Sequence, residues 1–195
     1  EEGAKLNLES EIPDWNFEGV VQQANVSWNN TLGKIDIETS DNDSRTVFYT
    51  SLYHTFIQPS LASDIDGRYR TMGHEIKRDT SYTNYTVFSL WDTFRATHPL
   101  YTIITPKQNQ AFIRSLLCKY DESGILPKWE LASNETGTMI GYHAVSVIAD
   151  AIMKKQCDFD IKKAIEACIR SSVYDTTNIT PMMNRQLLNE KVKPI

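Results

Sequence analysis

The sequence is dominated by segments whose apolar residues recur at helical spacing, and these segments alternate with two long stretches that have no helical period. Helices are predicted over residues 15–32, 45–58, 90–104, 107–120, 142–155, 161–173 and 181–191. The breaks at 61–88 and 124–141 are rich in turn-forming residues. Helix–loop–helix order of this kind favours stacked helical hairpins over a sheet-based fold. The sequence therefore predicts a mainly α fold, a partial (α/α)6 toroid of helical hairpins with a short β element and long irregular loops.

The predicted helices fill at most half of a closed ring of six hairpins, because only six or seven of them can be counted. Residues 1–12 carry little pattern and are expected to form a mobile N-terminal segment. Residues 13–195 are then expected to form the N-terminal half of the barrel. One strand is predicted at 34–38, where apolar and charged residues alternate.

Capping and breaking residues define where the predicted helices begin and end. Small polar residues and glycine favour helix ends, whereas proline favours the first turn or a break. The sequence predicts Asp14 as the first cap and Gly33 as the first stop. The further signals are Asp43 or Ser44 as the second cap, a break at Pro99, a cap at Asp160 and a last helix opened by Pro181.

The composition excludes several classes of partner. Hydrophobic residues make up 41% and charged residues 23% of the 195, which is typical of a soluble globular domain. The formal net charge of −5 argues against nucleic acid, whose binding needs a basic surface. No apolar run reaches the ~18–20 residues that a membrane-spanning helix requires. We therefore expect neither a nucleic-acid partner nor a membrane span.

The segment from Trp91 to Arg95 is the first candidate for sugar recognition. An indole face stacks on the C–H groups of a sugar, while Asp92 and Arg95 offer hydrogen bonds to ring hydroxyls. Helical spacing places Trp91 and Arg95 one turn apart on one face. The alternative is a core tryptophan beside an aspartate that favours the helix N-terminus.

The segment from Trp129 to Glu135 is the second candidate, because two acids lie close to an indole in a loop. A carboxyl group beside an aromatic wall is desolvated, which raises its pKa and suits it to protonate a leaving group. Glycosidases need such an acid. The alternative has Glu135 or Thr136 capping the next helix and Glu130 in solvent.

Other site signatures are weak. The run 64–67 resembles the start of a calcium loop, but Arg68 stands where the triplet needs an oxygen ligand and the closing glutamate is missing. An Asx-stabilised turn is the better interpretation. The histidines form no zinc motif, and the three cysteines lack zinc spacing. His143 is the histidine to follow, because it lies close to the Glu130 loop.

Several ordered motifs together resemble glycoside hydrolase family 92, the bacterial calcium-dependent exo-acting α-mannosidases. The motifs are FYTSLYHT at 48–55, DIDGRY at 64–69, FSLWDTFR at 88–95 with His98-Pro99-Leu100, the run 124–129, and MIGYHAVSVIADA at 139–151. The resemblance runs from about residue 15 to about residue 173. It is more specific than any one motif, since long motifs recur in order.

The resemblance implies an inverting enzyme that removes terminal mannose from α-linked glycans, with a β-sandwich ahead of an (α/α)6 barrel. A Glu would be the general acid, an Asp the base, and Ca²⁺ would bind sugar hydroxyls. Glu130 is assigned as the acid, with Glu135 as the alternative. The residues expected to line or support the sugar pocket are Trp91, Asp92, Arg95, Trp129 and His143.

The resemblance implies that the family's base aspartates and calcium ligands lie beyond Ile195 and that its sandwich also lies outside these 195 residues. No metal site is therefore expected within this chain, although the full-length enzyme would carry Ca²⁺. The isolated chain is expected to be inactive. The resemblance also implies a periplasmic or secreted bacterial protein. A non-catalytic carbohydrate-binding or helical scaffold module is the alternative function.

Overall fold

The computed structural model describes residues 2–173, which contain eight α-helices and seven short strands. The chain divides after Gln58 into two compact units. Mainly α architecture is confirmed, and the short strands lie in the two stretches predicted to be irregular. Within the described range, none of the helices combines the length and the apolar character that a membrane crossing needs. The predicted helix 181–191 lies outside the described residues.

The first unit consists of three helices, α1 (Glu2–Glu11), α2 (Phe17–Leu32) and α3 (Asn42–Thr55). Helix α1 lies where the sequence predicts no element. Helix α2 begins after Asn16 rather than Asp14, because the Asn16 side chain accepts the backbone N–H of Gly19 at 3.0 Å. Asp14 instead accepts the backbone N–H of Asn16 at 3.1 Å and so supports the turn before the cap. Helix α2 does end at Gly33, but with φ −70°.

The predicted strand at 34–38 does not form. A strand needs a partner for its backbone groups, and the Ile35 carbonyl instead accepts the Tyr49 hydroxyl at 3.1 Å. The cap of α3 is Asp41, whose carboxylate accepts the backbone N–H groups of Asp43 and Ser44. The prediction of Asp43 or Ser44 as the cap is therefore wrong by two or three positions.

Between Pro59 and residue 173, where the structure describes it, the second unit contains seven strands and five helices. Their bounds are β1 (Ser60–Leu61), β2 (Arg68–Arg70), β3 (Ile76–Arg78), β4 (Tyr85–Thr86), β5 (Phe88–Ser89), α4 (Leu90–Thr93), α5 (Thr97–Ile104), α6 (Pro106–Ser123), β6 (Trp129–Leu131), β7 (Asn134–Glu135), α7 (Ala144–Met153) and α8 (Ile161–Ser172). All pairs are antiparallel, β1 with β4, β2 with β3, and β5 with β6 and β7 in one small sheet.

Helix α6 is the centre of this unit and packs against α5, α7 and α8. Its buried face carries Phe112, Ile113 and Leu116, each 0–1% exposed. Burial of each such side chain stabilises the fold by about 1.5–3 kcal/mol. Pro106 opens α6 and Gly124 ends it in the left-handed conformation at φ 88°. The core therefore fixes one long helix against which the strands of the site pack.

The helix predicted over 90–104 is two helices, and the break falls before Pro99 rather than at it. Helix α4 ends at Thr93, and α5 begins at Thr97. Pro99 lies in the first turn of α5, where a missing N–H costs no helical hydrogen bond. Asp160 caps α8 as predicted, since its side chain accepts the backbone N–H of Lys163 at 3.1 Å.

Candidate active site

The three-stranded sheet brings both predicted acids onto adjacent strands. Phe88 of β5 pairs with Glu130 of β6, which in turn pairs with Glu135 of β7. Strand β5 runs directly into α4, which carries Trp91 and Asp92. The sheet therefore joins the two motifs that the sequence places 40 residues apart, from Trp91 to Leu131.

Glu130 is fully buried, with 0% exposure. Its Oε1 accepts the Thr86 hydroxyl at 2.8 Å and the backbone N–H of Ser133 at 2.7 Å. Its Oε2 accepts the backbone N–H of Val87 at 3.1 Å. The Lys119 ammonium lies 3.9 Å from Oε1. The alternative in which Glu130 points into solvent is excluded.

Lys119 connects this carboxylate to the core helix. Its Nζ donates to the Tyr85 carbonyl at 2.8 Å and to Asn84 Oδ1 at 3.4 Å. It also lies 5.7 Å from the centre of the Phe88 ring. A buried ion pair persists only when further hydrogen bonds satisfy both partners, and the pair of Lys119 and Glu130 meets that condition.

Glu135 is also buried, with 2% exposure. Its carboxylate accepts the backbone N–H groups of Lys128 at 2.7 Å, Trp129 at 3.2 Å and Gly137 at 2.8 Å. Burial raises the pKa of Glu135 above its ordinary value, although these three N–H groups act in the opposite direction. A raised pKa keeps a carboxyl group available as a proton donor. Glu135 does not cap α7, whose cap position is His143.

The backbone next to Glu130 is strained. Val87 has φ 65°, a conformation that a β-branched residue rarely adopts. Ala132 and Ser133 also have positive φ, at 48° and 64°, in the turn between β6 and β7. Such residues cost about 1–3 kcal/mol each and persist when their surroundings fix them. Here the N–H of Val87 is held by Glu130, and the N–H of Ala132 by the Thr86 hydroxyl at 2.9 Å.

The Trp91 motif is accessible. Trp91 is 43% exposed, which excludes the alternative of a core tryptophan, and Asp92 and Arg95 are exposed as well. Asp92 accepts a hydrogen bond from the Ser89 hydroxyl at the end of β5. Trp129, paired with Ser89 across the sheet, is half-buried. Trp129 therefore lies on the strand paired with β5, and Trp91, Asp92 and Arg95 lie on the segment that follows β5.

His143 contacts the end of the same motif. Its ring stacks on Phe94, with centroids 4.2 Å apart and planes 13° from parallel. The Arg95 guanidinium lies 5.6 Å from the centre of the Phe94 ring. Burial lowers the pKa of His143, which favours the neutral ring. His143 Nε2 is enclosed and has no hydrogen-bond partner among the described residues.

Four residues of this site are absent from the sequence-based prediction, namely Thr86, Val87, Phe94 and Lys119. Lys119 had a signal, because it follows Leu116 by three positions on the apolar face of α6. A lysine on such a face needs a buried partner. The conformation of Val87 has no signal in the sequence, since valine normally avoids positive φ.

The described residues also contain a cavity of 370 Å³, between the β3–β4 loop, α6 and the start of α8. None of the seven predicted site residues lines it. Asp66 accepts the backbone N–H of Arg68 at 3.2 Å, which confirms the predicted Asx turn at 64–67. Among residues 2–173, no three His, Cys, Asp or Glu side chains come close enough to hold a metal ion.

Comparison with known proteins gives the family. The family model for the glycosyl hydrolase family 92 catalytic domain matches residues 3–193. The GH92 α-mannosidase BT3965 from Bacteroides thetaiotaomicron is 40% identical, with a TM-score of 0.82 over 85% of this chain and 22% of that chain. Its complex with mannoimidazole gives 38% identity and a TM-score of 0.86, over 90% of this chain and 23% of that one.

A third solved structure is the GH92 inverting mannosidase BT2199 from Bacteroides thetaiotaomicron VPI-5482. It is 31% identical, with a TM-score of 0.83, over 91% of this chain and 24% of that chain. No curated protein sequence matches the chain. The chain spans about a quarter of the length of the mannosidases that it resembles. Because the family model matches nearly its whole length, the chain belongs to glycosyl hydrolase family 92.

Proposed function

We propose that this chain is part of an inverting, exo-acting α-mannosidase that hydrolyses terminal α-linked mannose from glycans. The observation that carries the proposal is Glu135, a buried carboxyl group with a raised pKa. It lies in the sheet whose first strand leads into Trp91 and Asp92. Support also comes from the relatives, which are named α-mannosidases and, in one case, an inverting mannosidase.

Both glutamates remain candidates for the general acid, and the contacts favour Glu135. All the backbone groups that Glu135 accepts belong to its own loop, at 128–137. Rotation of its side chain towards a glycosidic oxygen would break only those local bonds. Glu130, by contrast, is tied to the β4–β5 link, the β6–β7 turn and Lys119 of α6. Its release would dismantle contacts between three segments.

The remaining predicted residues fit sugar binding. Trp91 and Trp129 offer indole faces to the C–H groups of a mannose ring. Asp92 and Arg95 are exposed and can hydrogen-bond its hydroxyl groups. His143, held against Phe94, would support the same pocket through this stack. These roles extend the family resemblance to individual side chains.

An inverting site needs a second carboxylate about 6.5–9.5 Å from the acid, with water between them. We propose that this base and the calcium ligands come from outside the 195 residues, as the family resemblance implies. Calcium would then help bind sugar hydroxyls in the complete enzyme. The isolated chain would neither release mannose nor bind catalytic calcium. A bacterial periplasmic or secreted location belongs to the same proposal, supported by the Bacteroides origin of the matched enzymes.

The test is mannose release from an α-mannobiose by an enzyme that contains this chain at the length of the matched mannosidases. We expect release that a calcium chelator abolishes, with β-mannose as the first anomer seen by ¹H NMR. The 195-residue chain should release none. Binding of mannobiose without release by the longer protein would favour the non-catalytic carbohydrate-binding alternative. Release of α-mannose first would contradict inversion.

A further inference from the structure

We propose that Glu130 is a positioning residue, which holds the strained Val87 turn and thereby orients the segment that carries Trp91. The inference deepens the proposed function and rests on it where it concerns sugar binding. It separates the roles of the two buried glutamates: Glu135 donates the proton, and Glu130 fixes the sugar-binding segment.

Several separate segments of the chain meet at the Glu130 carboxylate. Glu130 accepts hydrogen bonds from Thr86 and Val87 on one side and from Ser133 on the other. Ser133 in turn donates its hydroxyl to the Arg70 carbonyl at 2.7 Å, at the end of β2. Lys119 adds a contact from the core helix α6. Each carboxylate oxygen therefore has a fixed partner, and the group is closed to solvent.

Val87 lies immediately before the segment that carries Trp91. It separates β4 from β5, and its φ of 65° sets the direction in which β5 leaves. Phe88 and Leu90, which follow, are 1% and 0% exposed, so the chain cannot shift there without disturbing the core. Trp91 comes next and is accessible. The conformation of Val87 is therefore transmitted to Trp91 over four residues.

Substitutions at Glu130 and Val87 change the two sides of the same contact. Glu130→Gln keeps the shape but replaces one acceptor oxygen by an N–H₂ group, which cannot accept. One of the N–H groups of Val87 and Ser133 then faces a donor. A Val87→Gly change acts on the other side of the same contact, because glycine adopts positive φ without steric cost. Glycine at position 87 should therefore remove the part of the need for Glu130 that comes from the strain at Val87, while the contacts of Glu130 with Thr86, Ser133 and Lys119 remain.

The structural test is a double-mutant cycle in the protein that contains this chain at the length of the matched mannosidases. Thermal unfolding is measured for Glu130→Gln, Val87→Gly and the double variant. We expect the loss in Tm from Glu130→Gln to be smaller in the Val87→Gly background, by the part that comes from strain at position 87. Val87→Ala is the matched control, because alanine keeps the Cβ that disfavours positive φ, and it should give no such relief. Equal losses in all backgrounds would overturn the positioning role.

If Glu130→Gln fails to fold, Thr86→Val takes its place, since it leaves the carboxylate and removes its Thr86 donor, together with the acceptor of the Ala132 N–H. The same rule then applies to its cycle with Val87→Gly. Relief of the loss supports the positioning role, and equal losses contradict it. This cycle needs no enzymatic activity, so it decides the structural part of the inference even if the proposed function fails.

The functional test uses the enzyme of full length and separates KM from kcat. We expect Glu130→Gln to raise KM for α-mannosides about tenfold, by the same factor for good and poor leaving groups. Adding Val87→Gly should restore KM, whereas Val87→Ala should not. An unchanged KM, with activity lost only on poor leaving groups, would overturn the inference and make Glu130 the proton donor.

Discussion

Replacement of His98 by glutamine should weaken the pH dependence of the protein's stability between neutral and mildly acidic pH. His98 lies in α5 and is 2% exposed. Its ring centroid lies 5.5 Å from that of Tyr101 and 6.1 Å from that of Phe112. Its Nδ1 lies 3.5 Å from Asn109 Oδ1. Burial lowers the pKa of His98 from 6.5 to about 4. The folded protein therefore binds a proton at His98 less readily than the unfolded chain.

Because the folded pKa is the lower one, the stability from neutral His98 is complete above the unfolded value and is lost as pH falls towards the folded value. With values of 6.5 and about 4, the loss between about pH 7.5 and about pH 5 amounts to about 2 kcal/mol. That corresponds to about 4–8 °C in Tm for a protein of this size. His98→Gln removes the titration and costs packing equally at both pH values.

The assay is urea or thermal unfolding of the native protein and the His98→Gln variant at both pH values. The stability advantage of the native protein over the variant should shrink by about 2 kcal/mol on going to about pH 5. Leu116→Ala is the control, because it removes buried packing but no titratable group and should give a difference that does not change with pH. A pH-independent difference for His98→Gln would refute the reasoning.

Three further substitutions test the fold and the site. The free energy of unfolding of Glu135→Gln, relative to that of the native protein, should be lower at acidic pH and should increase as pH rises. The reason is that the raised pKa of Glu135 favours the protonated carboxyl group in the folded protein. Unfolding at several pH values checks the sign. Leu116→Ala, at a fully buried position of α6, should cost about 2–5 kcal/mol in denaturant unfolding. Asp160→Ala should cost about 1 kcal/mol through loss of the α8 cap, whereas Asp158→Ala, before the cap, should cost less.

Local sequence signals predict most of the helices but not the exact residues at which they begin and end. The apolar period of 107–120 and the cap at Asp160 correspond to α6 and α8, because both signals act within one or two helical turns. The alternation at 34–38 predicted a strand that does not form. Alternation fixes the faces of a strand but cannot supply a partner, and Ile35 is engaged by Tyr49 of α3 instead. Pro99 predicts a break, although proline is tolerated in the first turn of a helix, where the structure places it.

The candidate site residues follow from sequence motifs, but the geometry that joins them does not. Trp91 and Glu130 were both identified from motifs, yet only the pairing of β5 with β6 brings their segments together. The burial of Glu130 depends on Lys119 and on the positive φ of Val87, which are long-range features. A sequence pattern does not encode such features. Pairing of distant strands and backbone strain are therefore what the structure adds.

The most direct measurement compares two leaving groups in two variants of the full-length enzyme. The ratio of kcat/KM for 2,4-dinitrophenyl α-mannoside to that for methyl α-mannoside is determined in Glu135→Gln and in Glu130→Gln. A dinitrophenolate departs without a proton, so loss of the acid should raise this ratio by about 10²–10⁴. We predict that rise in Glu135→Gln and an unchanged ratio in Glu130→Gln. The reverse pattern would contradict the division of roles between the two glutamates.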